Sequence, residues 1–357
     1  MRILMLSWRG PQHPRAGGAE VYTEEILSRL VRRGHSVTWY SAGHGGERPA
    51  QWRGVRMVYG ATGIGVYASG HRWLAHQRGY DVVVDQLNTF GFLAPRVARP
   101  VVALIYQLAE DVWDAQCWPG VSHTGRWLER RVLRAYRGTP FVTISRSTLA
   151  DLVRVGWRGE GRIVPIGVEQ PALVPKADQP VLCFLARLNC RAKRLDHAVE
   201  IFRRVQKELP AVQLWVIGRG AAPQGLLDHP GIRLFQGVDR ATRDRLLGEA
   251  WCCLATSVRE GWGLMVTEAA AAGTPAVAYD VPGLRESVQH QATGVVVAPR
   301  VDVAAQAVLS LLRDPPRRAA YGRAARQRAE SFSWERSAVE FEGALAQACA
   351  AGCVQAS

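Results

Sequence analysis

Twice along its 357 residues this chain runs through six short apolar stretches that alternate with amphipathic segments, and a stretch with two prolines and no period separates the series. Short strands alternating with helical patterns build a parallel sheet covered by helices on both faces. The pattern therefore predicts an α/β chain of two doubly wound, Rossmann-like domains, and the length, too great for one ordinary core, agrees. Expected strands are residues 2–7, 36–40, 55–59, 81–84, 101–106 and 141–144, then 181–186, 213–217, 233–235, 251–255, 275–279 and 294–297. Ala19, Tyr22, Ile26, Leu27 and Leu30 give the first helix its period, and Gly34 ends it. Leu195, Val199, Phe202 and Val205 mark the first helix of the second series. The expected division is a domain over 1–165, a linker over 166–179, a domain over 180–333 and a terminal segment over 334–357.

Strand ends are where such folds hold ligands. Residues 251–275 read as a strand, a loop holding Glu260 and two glycines, and an alanine-rich helix that Gly273 and Pro275 stop. A helix beginning near Leu264 presents unpaired N–H groups and partial positive charge, and Gly261 and Gly263 allow close approach. Glu268 lies one turn in, ~6 Å along the axis. Two carboxylates flanking an anion-accepting backbone can accept hydrogen bonds from the paired hydroxyls of sugars. A surface charge matched to the helix dipole would place a glutamate there equally well. After the run 181–186 come Arg187 and Lys193, two cations able to hold a diphosphate without metal. Near the N-terminus, Gly17-Gly18-Ala19-Glu20 opens the first helix. There is no Gly-x-Gly-x-x-Gly, and the second strand ends Trp39-Tyr40-Ser41 without an acidic residue, which rejects an NAD enzyme.

Charge and composition narrow the partners. The formal net charge is +14, with +10 from residues 1–165 (22 basic, 12 acidic) and +4 from the rest (23 and 19). Only three of the basic residues are lysines, so a general use of arginine in the source genome accounts for part of this. No RNA motif, zinc finger or helix-turn-helix accompanies it, so an anionic substrate or an acidic membrane face is expected rather than nucleic acid. The seven cysteines form no Cys-x-x-Cys pair, and Cys183, Cys252 and Cys253 lie in apolar runs while Cys349 and Cys353 lie in a small-residue tail, so all read as structural. No Asp-x-Asp and no zinc-like histidine cluster occurs, and no metal or cofactor is expected. No apolar run approaches 18 residues and the first one reads as a strand, so a cytoplasmic chain is expected.

Taken together, Gly17-Gly18-Ala19-Glu20, Arg187 with Lys193, Gly218-Arg219-Gly220, and Glu260 with Glu268 followed by Ala272-Gly273-Thr274-Pro275 resemble the retaining glycosyltransferases of GT-B fold, family 4. The resemblance implies two domains facing each other across a cleft, with the nucleotide sugar mainly on the second. It implies that Arg187 and Lys193 bind the diphosphate, that Glu268 binds the ribose hydroxyls, and that Gly18 approaches the diphosphate from the first domain. The backbone near Val238 meets the base, and Glu260 with the Gly261-Trp262-Gly263-Leu264 backbone holds the transferred sugar. Arg187, Lys193 and Glu260 are the catalytic candidates, acting by metal-independent front-face substitution in which the departing phosphate helps remove the acceptor proton. The last helix, about residues 334–347, crosses back to the first domain. Many members carry a histidine where this chain has Tyr106, which raises a 6-deoxy or otherwise altered sugar, or Gln107 in the histidine's role.

Trp8, His13 and Trp113, with Tyr106 and Gln107, are the candidate sugar or acceptor contacts, and aromatic faces in loops suit a sugar ring or an apolar aglycone. Residues 126–137 form a basic amphipathic helix that either rests on an anionic membrane or packs Leu128, Val132 and Leu133 on the sheet. The expected activity is transfer of a hexose, deoxy and amino forms included, from a nucleoside-diphosphate sugar to a small-molecule acceptor of secondary metabolism. The alternatives are a peripheral-membrane enzyme of envelope glycolipid or polysaccharide assembly and, from another class, a nucleotide-sugar epimerase or a non-catalytic binder.

Overall fold

A computed structural model describes residues 1–354. The chain divides by contacts into two units.

The first unit comprises Met1–Glu110, Pro119–Gly167 and the chain from Trp334 onward. Its sheet contains β1 (Arg2–Leu6), β2 (Ser36–Gly43), β3 (Gln51–Trp52), β4 (Val55–Thr62), β5 (Val82–Leu87), β6 (Val101–Ile105), β7 (Phe141–Thr143) and β8 (Gly161–Ile163). The order is β3-β4-β2-β1-β5-β6-β7-β8, parallel throughout except for the β3–β4 hairpin. Ile3, Leu4, Met5 and Leu6 of β1 are all fully buried, as a strand covered on both faces requires. Helices α1 (Gly18–Arg32), α2 (Gly65–Ala75), α4 (Pro119–Arg134), α5 (Arg146–Arg154) and α12 (Trp334–Val354) belong here, and α3 (Glu110–Gln116) starts here. Gly34, at φ +89°, takes the left-handed turn that stops α1. Helix α12 docks on α1 through ion pairs of Glu335 with Arg29 and of Glu342 with Arg33, and through a Trp334–Tyr22 edge contact. Residues 355–357 of the expected terminal segment lie outside the described residues.

The second unit comprises Asp111–Trp118 and Val168–Ser333. Its wholly parallel sheet contains β9 (Val181–Arg187), β10 (Gln213–Arg219), β11 (Ile232–Gln236), β12 (Cys252–Ala255), β13 (Ala276–Tyr279) and β14 (Gly294–Val297), in the order β11-β10-β9-β12-β13-β14. Around it lie α6 (Leu195–Glu208), α7 (Arg240–Glu249), α8 (Leu264–Ala271), α9 (Leu284–Ser287), α10 (Val301–Leu312) and α11 (Pro315–Glu330). The order reverses between β9 and β12, which makes their carboxyl ends the unit's crevice.

Two expectations need correction. Residues 111–118, assigned by sequence to the first domain, group with the second unit, because Asp111 pairs with the buried Arg259 and Gln116 donates to Cys190 Sγ. Of the expected linker over 166–179, residues 168–179 group with the second unit. Lys176 Nζ donates to the carbonyls of Ala250 and Gly273 and to Thr274 Oγ1, and the Ala177 amide bonds Glu249. No helix among the described residues is long and apolar enough to cross a membrane. Cys117, Cys183, Cys190, Cys252, Cys253 and Cys349 are free thiols, and the side chain of Cys353 is outside the described ones.

Candidate active site

Two loops leave the crevice of the second unit side by side. One follows β9 from Arg187 through a 3-10 turn, Arg191–Lys193, into α6; the other follows β12 through Glu260 into α8. Thr256 Oγ1 donates to the carbonyls of Lys193 and Arg194, at 3.0 and 2.9 Å, and the Val258 amide donates to the Ala192 carbonyl at 2.8 Å. So fastened, the loops bring Lys193 Nζ onto the Glu260 carboxylate, which also accepts from Ser257 Oγ at 2.6 Å. Arg187 ends β9 exposed, with no ion-pair partner among the described residues. The crevice thus holds one cation committed to a carboxylate and one free.

The backbone of this site needs two of its glycines. Gly263 sits at φ +96° before α8, a conformation that L side chains rarely adopt. A Cβ on Gly283, at φ +81°, would lie 2.2 Å from the Glu260 carbonyl oxygen. Val266 closes onto Gly263, and the preceding amides of Leu264 and Met265 have no partner among the described residues at the helix N-terminus. The Trp262 indole turns away: its Nε1 donates to Thr267 Oγ1 at 2.8 Å and its ring meets Phe332 edge-on, so only its backbone is left for a ligand.

Glu268 points toward α7. Its side chain is 13% exposed, and Oε1 lies 2.9 Å from Arg243 Nη1. Burial pushes its carboxyl above the ordinary value, Asp244 adds to this, and Arg243 and Arg240 oppose it. At the end of β11, Gly237 bonds back to Gly218, Gln236 Nε2 donates to the Gly220 carbonyl, and the half-buried Val238 packs on the core. These contacts fix the strand end that leads into α7.

In the first unit, Gly18 opens α1 exposed, while Glu20 accepts from the Gly17 amide at 2.7 Å. Trp8 is half-buried beneath the Arg9 guanidinium, 3.9 Å from the ring centroid. His13 Nδ1 accepts from the Arg15 amide at 3.0 Å, which leaves the ring proton on Nε2. Burial, then the nearby Arg9, His44 and Arg15, lower its pKa to about 4, so the ring is neutral. Tyr106 differs from its expected use: its hydroxyl donates to the Ala19 carbonyl and meets Thr23 Oγ1 at 2.9 Å, so it is occupied by α1. Gln107 Oε1, by contrast, is buried with no partner among the described residues. Trp113 lies on α3, among the residues grouped with the second unit.

The structure therefore brings Arg187, Lys193, Glu260, Gly261, Gly263, Leu264, Glu268 and Val238 to the strand ends of one unit, and Gly18, Trp8, His13, Tyr106 and Gln107 to the other. Sequence reading missed Ser257, Thr256, Arg259 and Arg243, whose roles come from contacts between segments distant in the chain. Among the described residues no group of three or more His, Cys, Asp or Glu side chains gathers to hold a metal ion.

Comparison with known proteins agrees with this geometry. Residues 168–328 match the family model "Glycosyl transferases group 1" and residues 16–170 the model "Glycosyltransferase Family 4". The chain is similar to a glycogen synthase of Mycobacterium tuberculosis, at 27% identity covering 94% of this chain and 92% of that one. A D-inositol 3-phosphate glycosyltransferase of Segniliparus rotundus is 31% identical over 94% of this chain and 87% of its own. Among solved structures, the sucrose-phosphate synthase of Thermosynechococcus elongatus superposes with a TM-score of 0.82, at 21% identity over 98% and 99% of the two chains. Two doubly wound parallel sheets, cations and carboxylates at the strand ends, and these likenesses lead to one assignment: the chain belongs to the group 1 glycosyltransferases of family 4, nucleotide-sugar-dependent enzymes of GT-B fold.

Proposed function

We propose that the enzyme transfers a hexose from a nucleoside-diphosphate sugar to a hydroxyl of a small-molecule acceptor, with retention and without a metal. The observation that carries this reading is the fastened pair of loops, which sets Lys193 on Glu260 in the loop that Arg187 opens at the end of β9. As the glycosidic bond loosens, negative charge gathers on the leaving diphosphate. The held Lys193 ammonium, the Arg187 guanidinium and the amides of Leu264 and Met265 are suited to stabilising it. Glu260, held by Lys193 and Ser257, accepts from sugar hydroxyls, and Glu268 accepts from the ribose. The proposed step is a same-face substitution, in which the acceptor oxygen bonds the anomeric carbon as the bond to the diphosphate breaks and a diphosphate oxygen takes the acceptor proton. For the sugar or acceptor, the first unit leaves open Gln107 Oε1 and His13 Nε2–H, while the Tyr106 hydroxyl is engaged.

The first experiment is the melting temperature of wild type and Glu268→Ala with UDP, GDP, ADP and dTDP. A ligand at 100 times its dissociation constant stabilises by ~2.7 kcal/mol. A shift with one nucleotide that the variant loses supports the site and names the base; no shift in a folded protein counts against it. An inverted product anomer, or activity abolished by a chelator, would overturn the mechanism.

A second reading, an enzyme at the inner membrane face with a lipid-linked acceptor, is favoured by α4. Ser122, Gly125, Glu129 and Leu133 turn inward, whereas Val121, Trp127 and Leu128 are 55%, 59% and 38% exposed beside the exposed Arg130, Arg131 and Arg134. Flotation with acidic vesicles separates the two readings. The family assignment disfavours the epimerase, and a turnover assay separates the enzyme from a non-catalytic binder.

A further inference from the structure

We infer that Arg243 is a positioning residue for nucleotide binding: by bridging Asp244 and Glu268 it keeps the Glu268 carboxylate ionised and fixed, with one oxygen turned free for the ribose diol. The inference rests on the reading of Glu268 as the ribose carboxylate. Its geometry is independent of that reading. Arg243 Nε and Nη2 donate to Asp244 Oδ1 at 3.0 and 2.8 Å, which orients the guanidinium plane, and Nη1 reaches Glu268 Oε1 at 2.9 Å. Glu268 has no other ion-pair partner among the described residues, and Oε2 takes no hydrogen bond from them. The arginine sits on α7, which Asp239 caps immediately after the strand end at Val238, so base-side backbone and ribose-side carboxylate are fixed by one short segment.

The charge balance gives Arg243 its importance. Glu268 is nearly buried, and burial disfavours its ionised form. From α7 it faces Arg240, Arg243 and Asp244; from β12 it faces the buried Cys253 thiol. The α11 guanidiniums of Arg326 and Arg328 are engaged by the carbonyls of Ala271, Glu286 and Ser287, and the α9 guanidinium of Arg285 by Asp280. Without Arg243, Asp244 would stand against the carboxylate with only Arg240 to offset it. Glu268 would then hold its proton to higher pH, and a protonated carboxyl accepts poorly from a diol.

The sign follows directly. Nucleotide binding needs ionised Glu268, so affinity is lost as pH falls through its pKa, and removing Arg243 moves that loss to higher pH. The test is the pH profile of the dissociation constant, measured by calorimetry with whichever of UDP, GDP and ADP stabilises the wild type most, and with its 2′-deoxy form. In Arg243→Met the acid midpoint should rise, and affinity should recover at higher pH. Arg243→Lys, which keeps the charge, should move it less. In the Glu268→Gln background, Arg243→Met should change neither affinity nor profile, and the preference for ribo- over deoxynucleotide should already be gone. A wild-type midpoint in Arg243→Met, or a loss in the folded variant that no pH restores, overturns the role of Arg243. Unchanged nucleotide affinity in Glu268→Gln overturns the ribose-site reading beneath it.

Discussion

Lys193 stands between two anions: it holds the Glu260 carboxylate, and the leaving diphosphate of the proposed reaction requires the same ammonium. Lys193→Ala should therefore lower kcat by about 10²–10³-fold, the range for removing one preorganised donor. Glu260→Gln should act otherwise, leaving nucleotide affinity unchanged or tighter while kcat falls. Initial rates and calorimetry separate the two, and weaker nucleotide binding in Glu260→Gln would remove Glu260 from the sugar. At His13 the pKa falls from 6.5 to about 4 on folding, so the unfolded chain binds a proton that the native one refuses. Stability should thus decline as pH drops from 6.5 toward 4, and His13→Asn should flatten that part of a urea-unfolding series. Of the proposed donor site, Arg187 and Lys193 were legible because they follow an apolar run, and Glu260 and Glu268 because they flank the start of a helix. Arg243 was not, because its value is a contact between α7 and α8, and neither was the engagement of Tyr106, which depends on α1 lying against the end of β6.

At the scale of elements, the site depends on β9 and β12 being neighbours although 64 residues lie between Arg187, where one ends, and Cys252, where the other starts. The hydroxyl of Thr256 fastens their loops, and Gly263 lets α8 begin where it does. Thr256→Val keeps the shape and deletes both hydrogen bonds, so it should lose about 1 kcal/mol of stability and lower kcat by releasing the Lys193 loop. Gly263→Ala meets both an unfavourable φ and Leu284 at 2.8 Å, and should lose about 1–2 kcal/mol or more in chemical denaturation. Wild-type stability in either variant would remove its argument. The twelve strands read from sequence exist because apolar runs between helical patterns have few other solutions. The two missed ones, β3 and β8, are two and three residues long and carry no apolar run of their own. In the expected linker over 166–179, the contacts of Lys176 and Ala177 with the second unit were not legible, because prolines and lost period carry no sign of what a segment packs on.

For the whole molecule, the charge excess of residues 1–165, +10 from 22 basic and 12 acidic side chains, was visible at once, but its meaning depends on which residues face outward. The sequence treated Leu128, Val132 and Leu133 of α4 as one apolar face, set either on an anionic membrane or on the sheet. The structure divides them: Leu133 is buried, Val132 half-buried, and Leu128 exposed beside Trp127 and Arg130, Arg131 and Arg134. An exposed indole and leucine among arginines suit the boundary of an anionic bilayer, where the ring sits at headgroup level and each basic residue contributes about 1 kcal/mol. Reversing three of them, Arg130, Arg131 and Arg134 to Glu, should thus reduce partition onto acidic vesicles by at least ~100-fold, and Trp127→Ala should reduce it further. Binding should weaken with added salt as screening shortens to less than ~10 Å, and neutral vesicles should not recruit the protein. The substitutions leave the strand ends of the second unit untouched, so nucleotide affinity should not change. A wild type that fails to float with acidic vesicles at low salt would leave the exposed face of α4 without a membrane partner and the small-molecule acceptor as the sole reading.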